Sequence, residues 1–82
     1  MINWIIQSLE PRKSVNKGRY DSYFLKHLFE HDKANGGFYI DNGQFKGAML
    51  QCGFRPYRKS DMNWRFCISE KSIKRVEKRG QI

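Results

Sequence analysis

The string Ile40-Asp41-Asn42-Gly43-Gln44-Phe45, followed by Gly53, constrains the fold more than any other part of this chain. Asp41 is spaced to accept a hydrogen bond from the backbone N–H of Gln44. The Gln44 side chain can reach back to the N–H of Asp41, and Ile40 and Phe45 stand at the two positions of a hydrophobic staple. Gly53 supplies a residue that tolerates the left-handed conformation at a helix end. Together they predict a helix over 42–52. Before it, Phe38-Tyr39-Ile40 reads as a short strand. After it, Phe54-Arg55-Pro56-Tyr57-Arg58 and Asn63-Trp64-Arg65-Phe66-Cys67-Ile68-Ser69 read as the arms of a β-hairpin.

In the second arm Trp64, Phe66 and Ile68 alternate onto one face and are expected in the core, while Arg65, Cys67 and Ser69 take the other. Pro56 in the first arm lacks a backbone donor, which suits an edge strand. Around this centre lie three more expected helices. Ile2, Ile5, Ile6 and Leu9 recur at helical spacing, with Asn3 as a cap and Pro11 as a stop; the run Trp4-Ile5-Ile6 fits a strand equally well. Asp21 caps a helix with Phe24, Leu25, Leu28 and Phe29 as its apolar stripe, Lys26, His27 and Glu30 facing elsewhere, and an end near Asn35-Gly36-Gly37. The last helix runs over 69–79 on only two apolar anchors, Ile73 and Val76, so part of it is expected to order on binding. The expected fold is therefore a small α+β domain spanning 1–82, in the order helix, helix, strand, helix, hairpin, helix, with a small antiparallel sheet.

Charge decides what such a domain can meet. Sixteen Lys and Arg against eight Asp and Glu leave +8 on 82 residues. That surplus attracts polyanions, nucleic acid above all, and would steer an acidic protein equally well. The cations fall in three groups. Arg12, Lys13, Lys17 and Arg19 occupy an aperiodic basic loop over 12–19. Arg55, Arg58, Lys59 and Arg65 flank Tyr57 on the hairpin, where a cation beside an aromatic can grip phosphate and stack on a base; a charged edge that repels other strands is the alternative. Lys71, Lys74, Arg75 and Lys78 share one face of the basic C-terminal helix or tail at 70–82.

Signals for chemistry are sparse. His27 and His31 have helical spacing for a shared metal, but no third ligand stands at motif spacing, and they read as surface or helix-end residues. Cys52 and Cys67 read as reduced core thiols, with a single disulfide as the lesser alternative. There is no glycine-rich phosphate loop, so no enzyme and no cofactor are expected; a pairing of Asp61 with a histidine stays open. No apolar run approaches the roughly 20 residues that span a bilayer. A soluble cytoplasmic protein without a membrane partner is the expectation.

Tyr20-Asp21-Ser22-Tyr23-Phe24-Leu25-Lys26-His27, Gly37-Phe38-Tyr39-Ile40-Asp41-Asn42-Gly43-Gln44-Phe45, Ala48-Met49-Leu50, Gly53-Phe54 and Asn63-Trp64 through Ile68-Ser69 together resemble small bacteriophage and mobile-element proteins. The resemblance covers roughly residues 20–69 and implies an accessory factor acting in a bacterial cytoplasm. The layout is also similar to winged-helix domains, although one helix, not two, separates the first strand from the hairpin. The function expected is nucleic-acid binding, DNA or RNA, through phosphates with little base specificity. The alternative is an inhibitor or adaptor that docks on an acidic patch of a host enzyme or defence system, anchored by Trp4 or Tyr57. Projected on a helical wheel, the capped helix carries Phe45, Ala48, Met49 and Cys52 on one face. Gly43, Gly47 and Leu50 lie opposite, suggesting a second packing contact and a buried helix rather than a groove reader.

Overall fold

The computed structural model describes residues 1–79. Its elements are α1 (Ile2–Ser8), α2 (Ser22–His31), a 3-10 turn (Lys33–Asn35), α3 (Asn42–Gln51) and α4 (Glu70–Arg79). Among the described residues there is no β-strand and no sheet, so the domain is all-α, and the α+β, winged-helix-like expectation is wrong. No helix there is long and apolar enough to cross a membrane.

The local signals at α3 operate as their chemistry dictates. Asp41 Oδ1 accepts from the Gln44 N–H at 2.7 Å, and Gln44 Oε1 accepts from the Asp41 N–H at 3.2 Å. At the other end Gly53 has φ +88°, the Phe54 N–H donates to the Met49 carbonyl and the Gly53 N–H to the Leu50 carbonyl, each at 3.0 Å. This double closure satisfies carbonyls that the helix leaves open. Asp21 caps α2 through the Phe24 N–H at 2.9 Å. The cap proposed for Asn3 is not made; Met1 is the N-cap, two residues earlier, with no side-chain cap.

The hairpin fails for a reason visible in its hydrogen bonds. Only the Tyr57 N–H, donating to the Arg65 carbonyl at 2.7 Å, joins its two arms. Residues 64–69 instead bond to the loop after α1 and to the start of α2. Arg12 N–H reaches Cys67 O at 3.0 Å, Asn16 N–H reaches Phe66 O at 2.9 Å, and Ser69 N–H reaches Glu10 O at 2.8 Å. Ser22 clamps Trp64 at two points, its N–H donating to the Trp64 carbonyl and its Oγ accepting from the Trp64 N–H. One antiparallel bridge pairs Pro11 with Ile68 and goes no further. The alternation nevertheless reports burial correctly, since Trp64, Phe66 and Ile68 are all buried. A period of two says which side faces inward; it does not say what backbone lies alongside. The Phe38-Tyr39-Ile40 strand also fails, with Phe38 and Tyr39 exposed and only Ile40 buried.

The core joins Trp4, Ile5 and Leu9 of and after α1 to Leu25 and Phe29 of α2, Phe45, Ala48 and Met49 of α3, and Ile73 and Val76 of α4, with the 64–68 side chains closing it. Helix α3 packs on α1 and α2, and α1 packs on α4. Trp4 meets Phe29 edge to face at 5.1 Å between centroids. Trp4 is thus core and no anchor for a partner, whereas Ile6, expected on the inner stripe, is 64% exposed. Lys26, expected to face outward, is buried and pairs with Glu30 at 3.0 Å. The second face of α3 is not packed either. Gly43 and Gly47 are exposed, Leu50 is partly so, and a Cβ at Gly47 would meet nothing within 4 Å. Helix α3 is half-buried, not the buried axis its projection suggested.

Helix α4 is held more firmly than two apolar anchors imply. Arg79 donates from Nε and Nη2 to Asp32 Oδ2 at 3.1 and 2.8 Å, and from Nη2 to Ser8 Oγ at 2.8 Å. The Trp4 indole N–H shares the same carboxylate oxygen at 2.8 Å, and Asn35 donates to Oδ1 at 2.9 Å. Ser72 Oγ accepts from the Glu10 N–H at 3.1 Å. The part of the expected basic tail beyond residue 79 lies outside the described residues.

Candidate nucleic-acid interface

Two segments separated by forty residues bring three cations together at the surface. The loop before α2 is pinned by its bonds to Phe66 and Cys67, so Lys17 lands beside the 57–65 segment. Lys17, Tyr57, Arg58, Asp61 and Arg65 line one open cleft of about 190 Å³. Lys17 Nζ lies 5.2 Å from the centre of the Tyr57 ring and Arg58 Cζ lies 5.3 Å from it. Arg65 Nε reaches the Gly18 carbonyl at 3.4 Å, tying the two walls together. The charge of Lys17, followed by the adjoining Arg58, holds the Tyr57 phenol below its ordinary value. Three cations face one carboxylate here, and among the described residues none of the four forms an ion pair.

The remaining predicted contacts divide by what they already touch. Arg12 folds back onto the carbonyls of Ser14 and Val15 at 2.9 and 3.1 Å. Arg19 lies over the rings of Tyr20 and Phe24 and sits 3.7 Å from Glu77 of α4. Lys74 is 3.6 Å from Glu70, and Arg75 is 2.9 Å from Glu10. Lys13, Arg55, Lys59, Lys71 and Lys78 are exposed with no ion pair among the described residues. The four cations of α4 do share its outer face, opposite buried Ser72, Ile73 and Val76.

Two residues of the surface escaped the sequence reading. Lys46 of α3 stands over the Trp64 ring at 4.7 Å, a contact that no local pattern announces. Asp61 was weighed only as a partner for a histidine, and it lines the cationic cleft instead. His27 bonds Glu30 at 3.0 Å, with His31 beside it at 6.3 Å between ring centres. Burial pushes the Glu30 carboxyl up, but the Ile40 N–H and the Lys26 and His27 charges outweigh that and hold it below its usual value. Among the described residues no group of His, Cys, Asp or Glu is placed to hold a metal ion. Cys52 and Cys67 are unpaired and half-buried, and burial raises the Cys52 thiol.

A second surface is apolar. Met1, Ile2, Phe38, Tyr39, Ile40, Gln44, Gly47, Ala48 and Gln51 line a groove of about 550 Å³ along the open face of α3. Tyr39 is 81% exposed there, with Lys26 Nζ 5.3 Å from its ring centre. Compared with known proteins, the chain matches no family model, no curated protein and no solved structure.

Proposed function

We propose that this is a nucleic-acid-binding accessory protein that contacts phosphates with little base specificity. The observation that carries the reading is the convergence of Lys17, Arg58 and Arg65 around Tyr57 in one open cleft without ion pairs. Cations already held by carboxylates contribute less, because a polyanion must compete for them. Lys17, Arg58 and Arg65 are therefore the primary contacts, Lys13, Arg55, Lys59, Lys71 and Lys78 extend the field, and Arg12, Arg19, Lys74 and Arg75 are secondary. Phosphate contact positions a nucleic acid without reading its sequence. The resemblance to phage and mobile-element proteins supports a setting in a bacterial cytoplasm. The test is a salt titration of binding to a labelled single strand. Affinity is expected to fall by about 0.7 log unit per log unit of salt for each phosphate held. Binding that ignores salt, or no binding at low salt, would remove the reading.

A second reading, docking on an acidic host protein, draws on the groove along α3. Phe38 and Tyr39 would be its anchors in place of buried Trp4, and the surplus of eight positive charges would steer an acidic partner. A stoichiometric partner captured after nuclease treatment and lost on Tyr39→Ala would favour it. Capture that vanishes with nuclease, while nucleic acid remains in the untreated fraction, would favour the first.

A further inference from the structure

The cleft is open, about 190 Å³, and is lined by three cations, one carboxylate and one phenol ring. Its charge is what discriminates between ligands. Lys17, Arg58 and Arg65 set against Asp61 leave a net of two positive charges. An internal phosphate diester brings one negative charge to such a site; a terminal phosphate monoester brings about −1.5 to −2 at neutral pH and a third strongly accepting oxygen. Arginine offers forked donors that suit such an oxygen set, and lysine adds a compact charge. The Tyr57 ring, half exposed at the wall of the cleft, gathers Lys17 and Arg58 beside it, 5.2 and 5.3 Å from its centre.

Resting on the nucleic-acid reading, we infer that this cleft holds the terminal phosphate monoester of a nucleic-acid strand in preference to an internal diester. The strand beyond the end then runs over the outer cations, which add affinity without selecting for an end. Asp61 repels both ligands in proportion to their charge and so lowers affinity overall; the preference comes from the two positive charges that remain in excess.

The experiment compares three single strands on the full chain at low salt. One carries a 5′-phosphate, one a 3′-phosphate, and one is hydroxyl-ended but two nucleotides longer, so that total charge is matched. One of the phosphorylated strands is expected to bind about fivefold tighter than the charge-matched control, the scale of one charge-assisted contact near a surface. The identity of that strand names the end. The double variant Lys17→Met, Arg58→Met removes two exposed side chains that support no packing. It should bring the ratio to about one, while all three strands lose affinity because both residues are primary phosphate contacts. Equal binding of all three strands, or a preference that survives the double variant, overturns the inference and leaves the nucleic-acid reading in place. If no strand binds, that reading and this inference fall together.

Discussion

Two regions of this molecule use basic side chains in opposite ways. At the end of α4, Arg79 meets Asp32, a buried carboxylate that also accepts from Trp4 and Asn35, so its charge is consumed inside the fold. In the cleft, Lys17, Arg58 and Arg65 surround a phenol ring and one unpaired carboxylate, so their charge stays available to solvent. The difference teaches that a count of basic residues is a poor guide to a binding surface. What matters is which cations the tertiary structure has already neutralised.

The comparison breaks most visibly at Asp32. Asp32→Ala strands the Arg79 guanidinium and the Trp4 N–H, and should lower stability by about 2–4 kcal/mol in urea unfolding, the range for breaking a buried pair whose cation is partly exposed. Nucleic-acid affinity, measured well below the melting temperature, should stay the same. The same carboxylate carries a pH dependence. Burial raises it, but hydrogen bonds from Asn35, Trp4 and Arg79 prevail and hold it below its usual value. A carboxyl lowered on folding stabilises the native state above its unfolded value of about 4, and that contribution is lost as pH falls through the lower folded value. Acid unfolding of Asp32→Ala should lack this component. An unchanged acid limb would mean the carboxylate is not the stabilising partner.

Gly37 tests the scaffold that presents Asp32. It follows Gly36, which has φ +91°, and a Cβ on Gly37 would fall against the Phe29 carbonyl oxygen and 2.9 Å from the Asp32 carbonyl oxygen. Gly37→Ala should destabilise by about 1–3 kcal/mol, because the opposing atoms are backbone and cannot swing aside. A neutral result in thermal melts would show that the turn relaxes without moving Asp32.

On the cleft side, Lys17→Glu with Arg58→Glu should change stability by no more than about 0.5 kcal/mol. The slope of log affinity against log salt on the single strand should drop by about 1.4, or about 0.7 for each phosphate-facing cation removed. A variant that lost stability and kept its slope would reverse the assignment of the two regions. The smallest effect is at Tyr57. Removing the neighbouring cation in Lys17→Met should move the phenol back toward its ordinary value, read from the ring-carbon chemical shift during a base titration. No movement would place Lys17 away from the ring in solution.

The sequence revealed features whose bonds close within a few residues. The Asp41–Gln44 box, the Gly53 stop and the Asp21 cap each join backbone and side chains three to five positions apart, so adjacent letters suffice to specify them. The inward set Trp64, Phe66 and Ile68 was legible too, because burial follows the alternation of apolar side chains. The partner of that segment was not. Apart from the Arg65 carbonyl, which accepts from Tyr57, its donors and acceptors go to residues 10–16 and to Ser22, a choice set by how α1, α2 and α4 pack.

For the site, the residue types and three basic segments were on the page from the start, but not their sorting. Arg79 finds its acceptor 47 positions away, and Lys17 meets Tyr57 across forty residues of chain. By itself, then, the sequence determined the helix ends, the apolar inner set and an excess of positive charge. Tertiary structure alone decided that the described residues make no sheet, that one face of α3 stays open, and which cations remain free of carboxylates among the described residues. The reason is that local bonds form rings of a few residues with little chain entropy to overcome. Distant pairings exist only when the whole core has brought their segments together.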